Sequence, residues 1–242
     1  NDAKAHYNKG VSLSELQRYE EALVAFDHAI LLNPNDARAY CGKGTAFMSL
    51  QHYKEAIIAY DHAIRLDPNN ARAYYGKSAA LDELQRYEES IHAYGQPIRI
   101  NPNDARTYHN KGMALMERRC YEEALDAFEQ MIRLEPNDTK GYYNKGVALD
   151  ALGYYKKAII AFEHVISLDP NNALAYHNKG LVFDALQRYE EALAAYNQAI
   201  LLDPNNAVMH HTKGVVLEQL GRRQEAQQAY KLAKQLGGLI QG

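Results

Sequence analysis

The residues able to do catalytic or metal chemistry are scattered through the chain. There are ten histidines and two cysteines, but there is no Gly-rich phosphate loop, HExxH, CxxC or nucleophile elbow. His28, His62 and His164 recur at multiples of 34 residues, and successive turns of a repeat structure hold such side chains too far apart to ligate one metal ion. We therefore expect no catalytic residue, no metal site and no cofactor, and we predict that the protein is not an enzyme.

A second set of side chains suits recognition, and it recurs with the same spacing. Asparagines separated by multiples of 34 residues are Asn8, Asn110, Asn144 and Asn178. An amide can donate to a carbonyl and accept from an N–H at once, which is what holding a peptide main chain requires. The alternative is that these amides form hydrogen bonds within or between helices.

Aromatic, imidazole and thioether side chains accompany the asparagines. The position before the asparagine column holds Tyr7, Tyr75, His109, Tyr143 and His177. Met113 and Met116 share a helical stripe with His109, and methionine surfaces are adaptable and common at binding sites. These residues extend the candidate peptide-binding surface.

Charged residues form two further columns that oppose the dipoles of the helices they occupy. Four residues before the asparagine column, in the first turn of a predicted helix, lie Arg38, Arg72, Arg106 and Lys140. Late in their helices lie Asp82, Asp150, Asp184 and Glu218. Repeated local violations of this kind often mark function, and one basic and one acidic rim would orient a charged ligand. The alternative is salt bridging between repeats, for example through Arg38 or Arg72.

The spacing of 34 residues organises the whole chain. Prolines mark it at Pro34, Pro68, Pro102, Pro136, Pro170 and Pro204. Stacking on this period gives a single array, 1–242, with repeats 3–36, 37–70, 71–104, 105–138, 139–172, 173–206 and 207–240. Each repeat contains two amphipathic helices, roughly 4–16 and 20–33 in the first. An Asp or Asn precedes every first helix, which is the preferred amino-terminal cap. The sequence thus predicts an all-α fold.

Small and aromatic residues recur at fixed places in each repeat. One column is glycine in six repeats and Ser78 in the third, a second column is alanine except at Ser90, and tyrosines recur near the predicted turns. Large side chains in the small columns would push the two helices of a repeat apart. With the recurring proline, these columns resemble the tetratricopeptide repeat family, and the match is almost position for position over Tyr176–Pro204, YHNKGLVFDALQRYEEALAAYNQAILLDP.

This resemblance implies a right-handed superhelical α-solenoid. In that family the first helices line a concave groove that binds peptides or protein surfaces, so the asparagine, aromatic and cationic columns are expected to face the groove. A lysine column, from Lys9 to Lys213, replaces the family's usual leucine. We expect its aliphatic stems to cover apolar surface and its ammonium groups to lie in water.

Two places depart from the pattern. Gly95 and Pro97 fall inside the predicted second helix 88–100 of the third repeat, where proline typically kinks a helix, and Arg118-Arg119-Cys120 follows in the fourth. The hypothesis is that this seam bends the superhelix or admits a partner, and neutral drift is the alternative. In the last repeat, Arg223, Gln227 and Lys234 replace a tyrosine and apolar residues, as a carboxy-terminal cap requires. The start at Asn1-Asp2 is expected to be a truncation.

Composition limits the class of partner. The formal net charge of −3 argues against a general nucleic-acid binder, and no apolar run approaches a membrane span. Cys41 and Cys120 are expected not to pair, which favours a reducing, cytoplasmic location. We predict a protein-interaction scaffold that binds an extended, possibly charged, protein or peptide segment in its groove. The alternatives are a self-assembling homo-oligomer and the adaptor part of a larger enzyme or secretion component.

Overall fold

The computed structural model describes residues 2–239. The parts of the predicted array at Asn1 and at 240–242 lie outside the described residues. By its internal contacts the chain divides into two compact units that meet after Cys120 in the sequence. The division falls between the two helices of repeat four, and the single array predicted for 1–242 stays a prediction.

Within the described residues, the amino-terminal unit contains seven helices. They are α1 (Ala3–Glu15), α2 (Tyr19–Leu32), α3 (Ala37–Ser49), α4 (Tyr53–Leu66), α5 (Ala71–Glu83), α6 (Tyr87–Ile100) and α7 (Ala105–Glu117). Each helix packs against the next along the chain, and the first helices α1, α3, α5 and α7 also contact one another in order. The unit is therefore a stack of helical hairpins whose first helices share one layer.

The carboxy-terminal unit repeats this arrangement in its described part. Its helices are α8 (Tyr121–Leu134), α9 (Thr139–Ala151), α10 (Tyr155–Leu168), α11 (Ala173–Ala185), α12 (Tyr189–Leu202), α13 (Ala207–Gln219) and α14 (Arg223–Leu239). Contacts run between consecutive helices and between α9, α11 and α13. Gln227 and Lys234 are exposed on α14, and the capping role predicted for the last repeat remains a prediction.

The predicted caps are confirmed at the start of the first helices. The Asp2 side chain accepts from the Lys4 N–H at 3.0 Å, and Asp36 does the same for Arg38 at 3.0 Å. Asn70, Asp104, Asp138, Asn172 and Asn206 cap their helices in the same way. These acceptors satisfy amide donors that the first turn of a helix leaves unpaired.

The turn between the two helices of a repeat requires one residue in the left-handed region of φ. Gly153 and Gly221 take it with φ of 75° and 73°. In other repeats a side chain is accommodated there, at Gln17, Gln51, Gln85, Arg119 and Gln187. Glycine is the residue that adopts this conformation without steric cost.

The glycine column allows the aromatic column of the same repeat to pack. A Cβ atom on Gly10 would lie 2.7 Å from Cε1 of Phe26, and one on Gly180 would lie 2.6 Å from Cε1 of Tyr196. The alanine column is buried, from Ala22 to Ala226. Close approach of the two helices therefore depends on small residues at both places, as the sequence predicted.

Two predictions of helix boundaries require correction. The helices of the first repeat begin and end one residue earlier than predicted, at Ala3–Glu15 and Tyr19–Leu32. Helix α6 starts at Tyr87, one residue before its predicted start, and ends at Ile100 as predicted; its length of fourteen residues equals that of α2 and α4. Pro97 is buried at the place that Ala29 and Ala63 occupy in their repeats, so packing holds the helix together across the missing N–H.

The lysine column was expected to leave its ammonium groups in water, and four of them form ion pairs instead. Each lysine on a first helix reaches an acid on the second helix of the preceding repeat. The pairs are Lys43–Asp27 at 2.6 Å, and Lys77–Asp61, Lys145–Glu129 and Lys179–Glu163 at 2.7 Å each. The stacking of repeats determines the partner of each lysine, which lies sixteen residues away in sequence. Rules that consider only neighbouring residues therefore do not predict these pairs.

Candidate functional site

The candidate residues lie on the first helices of the repeats in each unit. In the amino-terminal unit, Tyr7, Arg38 and Arg72 line one cavity of about 540 Å³. We call it the Arg72 pocket; its wall also includes Val11, Ser14, Glu15, Cys41, Gly42 and Thr45. Three predicted site residues from three successive repeats are thus brought together.

Gly42 and Gly76 allow an aromatic ring of the preceding repeat to pack against their helices, and Gly42 also lines the Arg72 pocket. A Cβ atom on Gly42 would lie 2.6 Å from Cε1 of Phe26, and one on Gly76 would lie 2.3 Å from Cζ of Tyr60. Cys41 stands where other repeats have tyrosine or histidine, and it is buried. Burial raises the pKa of the Cys41 thiol, and the charge of Arg72 opposes this rise.

The two arginines of this pocket differ in their partners. The Arg38 guanidinium donates from Nε and Nη2 to both oxygens of Asp36, at 2.9 and 2.8 Å, and its Cζ lies 5.3 Å from the centroid of the Tyr7 ring. This pairing lowers the pKa of the Asp36 carboxyl. Arg72 forms no ion pair with any described residue, and so it is the cation available to a ligand.

A second cavity, of about 430 Å³, lies between repeats three and four of the same unit. We call it the Asp82 pocket; it is lined by Asp82, Glu83, Glu117, Asn110 and Met113, with Tyr87, Tyr94 and neighbouring residues. Met116 is half-buried on the same helix as Met113. Three carboxyl groups and two of the predicted site residues therefore meet at this place.

Asp82 is the most unusual group of this pocket. Its Oδ2 accepts from the Tyr94 hydroxyl at 2.7 Å, while its Oδ1 is buried without a hydrogen-bond partner among the described residues. Burial raises the pKa of the Asp82 carboxyl, although the Ser90 and Tyr94 hydroxyls oppose this rise. Burial and the nearby carboxylate also raise the pKa of the Tyr94 hydroxyl.

The asparagine column forms hydrogen bonds between repeats, which is the alternative reading of the sequence. Asn110 Nδ2 donates to the Tyr75 hydroxyl at 2.8 Å. In the other unit, Asn178 Nδ2 donates to the Tyr143 hydroxyl at 2.7 Å and to the Leu174 carbonyl at 3.0 Å. The Tyr–Asn spacing of 35 residues is the sequence signal for these pairs, because it joins equivalent faces of successive first helices.

The remaining predicted site residues have separate surroundings. Asn8 and Lys140 are exposed, and His109 Nδ1 lies 3.1 Å from Asn110 Oδ1. The Arg106 guanidinium lies 4.4 Å above the Tyr75 ring. His177 Nε2 lies 3.1 Å from the Thr212 hydroxyl, and burial lowers the pKa of its imidazole. Asn144 has interactions with its neighbours.

Sequence reasoning missed the packing role of the histidine column. His62 stacks on Tyr40 with ring centroids 5.2 Å apart, and His164 lies 4.2 Å from Tyr142. Among the described residues no group of three or more His, Cys, Asp or Glu side chains could hold a metal ion. Cys41 and Cys120 are both free thiols. No helix of the described chain combines the length and apolar character that crossing a bilayer requires.

Together, the repeated hairpins and the layered first helices define an all-α solenoid of helix-turn-helix repeats. The chain belongs to the tetratricopeptide repeat family. Family models described as tetratricopeptide repeat match residues 3–36, 37–70, 105–138 and 173–206, 139–172 and 207–236, and 59–92. Six of these ranges begin at predicted repeat boundaries, and the irregular third repeat is matched only out of register.

Solved structures with the same fold are numerous. YrrB, described as a TPR protein with an unusual peptide-binding site, is 27% identical with a TM-score of 0.70, over 78% of this chain and 97% of that one. MamA from Desulfovibrio magneticus RS-1 is 26% identical with a TM-score of 0.65, over 69% and 94%. A tetratricopeptide repeat protein from Parabacteroides merdae is 16% identical with a TM-score of 0.72, over 97% and 93%. No curated protein matches the chain.

Proposed function

We propose that this protein is a non-catalytic interaction scaffold that binds an extended protein segment along the layer of its first helices. The observation that carries the proposal is the opening of two pockets of opposite charge on that layer, at residues predicted to face a groove. The similarity to YrrB, whose description includes a peptide-binding site, supports the same use of the surface.

The chemistry of the two pockets indicates the charge of the segment. The Arg72 pocket offers a guanidinium that pairs with no described carboxylate, and so it suits an acidic side chain. The Asp82 pocket offers Asp82, Glu83 and Glu117, and so it suits a lysine or arginine. Opposite charges at two points fix the register of a bound segment more than they increase its affinity.

The separation of the pockets sets the spacing of the two charges. Arg72 and Asp82 lie ten residues apart on the same helix, α5, which at about 1.5 Å per residue gives about 15 Å along its axis. An extended chain advances about 3.3 Å per residue. The bound segment therefore carries its acidic and basic side chains about four or five residues apart.

The test uses fluorescein-labelled 14-residue peptides and fluorescence anisotropy. One peptide carries Glu and Lys four residues apart in a Ser/Ala background, a second has the two in reverse order, and a third has Ser at both places. We expect one of the charged peptides to bind at least tenfold more tightly than the Ser peptide, which corresponds to about 1.4 kcal/mol. Arg72→Glu should remove this preference and favour a peptide with Lys in place of Glu.

The control is Arg65→Glu, which reverses an exposed charge on α4, away from both pockets. It should leave all affinities unchanged, while circular dichroism checks that each variant is folded. Equal affinity for charged and Ser peptides, or equal losses in Arg65→Glu and Arg72→Glu, would contradict the proposed pockets.

A triple variant tests the asparagine column separately. We propose that the Tyr–Asn hydrogen bonds hold Asn110 and Asn178 in place to contact a peptide main chain. Replacing Asn110, Asn144 and Asn178 by Ala should then weaken every peptide by a similar factor, because main-chain contacts do not depend on side-chain charge. Unchanged affinities would show that the column serves only to join repeats.

A further inference from the structure

The start of α10 reverses a charge pattern that the other second helices share. Acidic residues occupy the first turn of α2, α4, α6, α8, α12 and α14, where they interact favourably with the helix dipole. In α10 the first turn has no acid, and Lys156 and Lys157 stand where repeat six has Glu190 and Glu191. The positive end of this helix therefore carries two additional positive charges, both exposed.

The residue before this turn is changed as well. In four other repeats an arginine there pairs with the glutamate three residues later: Arg18–Glu21, Arg86–Glu89, Arg188–Glu191 and Arg222–Glu225. In repeat five these two places hold Tyr154 and Lys157, and the Lys157 ammonium lies 5.3 Å from the centroid of the Tyr154 ring. Tyr154 remains 51% exposed.

A cavity of about 390 Å³ opens beside this turn, on the side of the second helices α8 and α10. We call it the back pocket; it is lined by Leu125, Glu129, Tyr142, Lys145, Leu149, Tyr154, Lys157, Ile160, Ala161 and His164. Its apolar wall includes Ile160, which is 64% exposed. Glu129 is neutralised by its ion pair with Lys145, which leaves Lys157 as the charge at the rim.

We propose that the back pocket is a second docking site, which binds a partner segment with a bulky apolar side chain next to acidic residues. The apolar side chain fills the cavity between Leu125, Leu149 and Ile160, where burial of exposed carbon drives association. The acidic residues meet Lys156 and Lys157, which form no ion pair with any described residue, and the amino-terminal end of α10. This site is independent of the proposed use of the first-helix layer.

Repeat two supplies a matched comparison within the same chain. It has the same Ala-Ile-Ile-Ala run in its second helix, and Ile58 is 59% exposed, like Ile160. It differs at the charged turn, where His52 and Glu55 stand in place of Tyr154 and Lys157. A substitution at Ile58 therefore reproduces the loss of an exposed isoleucine without touching the proposed site.

The experiment measures anisotropy of three labelled 11-residue peptides on the full chain. The first has a Leu-Phe centre flanked by Asp and Glu. The second has the same centre flanked by Lys, and the third has Ser in place of Leu and Phe with acidic flanks. We expect only the first to bind measurably to the wild type. Ile160→Glu and the double variant Lys156→Glu/Lys157→Glu should each weaken it at least tenfold, and Ile58→Glu should leave it unchanged.

Three results would overturn the proposal: no preference for the acidic Leu-Phe peptide, equal effects of Ile160→Glu and Ile58→Glu, or undiminished binding by the double lysine variant. Binding to anionic lipid vesicles is measured as well. Binding of vesicles through Lys156 and Lys157, without binding of any peptide, would likewise contradict the proposal. The double variant introduces the Glu-Glu pair that repeat six already uses, so it is expected to fold, and thermal melting followed by circular dichroism checks this.

Discussion

Asp82 is a partly buried carboxyl that lines the Asp82 pocket, in surroundings that disfavour its charge. Its carboxyl accepts from the Tyr94 hydroxyl, in a repeat where Ser78 and Ser90 replace the glycine and alanine of other repeats. One of its oxygens has no partner among the described residues, and burial raises its pKa. A ligand cation would supply that partner, and we therefore regard Asp82 as the best single indicator of the pocket that bears its name.

The raised pKa of Asp82 predicts a specific dependence of stability on pH. An ordinary aspartate titrates near pH 3.9, so between that value and its raised folded pKa the folded state binds more protons than the unfolded state. The contribution of this carboxyl to stability therefore improves as the pH falls through its folded pKa, and it is unfavourable at neutral pH. Asp82→Asn, which cannot ionise and still accepts from Tyr94, should be more stable than the wild type at pH 7.

Urea unfolding at pH 7.0 and 4.5 measures this effect. The gain from Asp82→Asn should be largest at pH 7.0 and shrink at pH 4.5, where the wild-type carboxyl is increasingly protonated. Asp126→Asn, an exposed substitution on α8, is the control and should show no such difference. A gain that grows as the pH falls would contradict the assigned direction of the pKa shift.

At the scale of the helices, the ion pairs between successive repeats form a column with two breaks, at Gly95 and at Asn197. Gly95 stands where α2, α4, α8 and α10 have an acid, and a Cβ atom there would meet nothing within 4 Å. Lys111, on the next helix, forms no ion pair with any described residue. The irregular third repeat thus lacks both a good helix-forming residue and one pair of the column.

Two substitutions separate the effect of the missing helix-forming residue from the effect of the missing ion pair. Gly95→Ala should raise the free energy of unfolding by about 1 kcal/mol through helix propensity alone. Gly95→Glu should give a further gain of about 0.2–1 kcal/mol if the new carboxylate pairs with Lys111, as exposed pairs do. Urea unfolding gives both values, and the further gain should disappear in Gly95→Glu/Lys111→Ala and at 1 M salt. A further gain that survives either change would show that the pair does not form.

The helices also show which parts of this structure could be predicted from sequence. The caps and turns could be predicted, because residues such as Asp36 and Gln187 act within a few residues of their own position, and local rules cover that range. The partners of Lys43 and Asn178 could not, because they lie sixteen and thirty-five residues away and depend on how repeats stack. Pro97 lies inside a helix as predicted, because a helix that packs on both neighbours tolerates a residue that would break it alone.

At the scale of the molecule, the contacts of the amino-terminal unit run only between near neighbours along the chain. Its buried residues also fall into separate clusters. One contains Leu13, Ala22, Phe26 and Ala46, and another contains Tyr60, Ala73 and Ala80. A structure of this kind behaves as a series of coupled repeats, in which stability is a sum of repeat and interface contributions. Damage to one repeat should therefore remain local.

Phe26→Ala tests this locality within the amino-terminal unit. The substitution removes a ring that packs against Gly10 and Gly42, and a buried Phe→Ala change costs about 3–5 kcal/mol. In native-state hydrogen exchange, the amides of α1 and α2 should exchange at least a hundredfold faster than in the wild type, while those of α5 and α6 change by less than threefold. The mirror substitution Tyr94→Ala should accelerate α5 and α6 more than α1. Uniform acceleration of α1, α2, α5 and α6 in either variant would mean that the unit unfolds as one cooperative body, and stability would then not be a sum over its repeats.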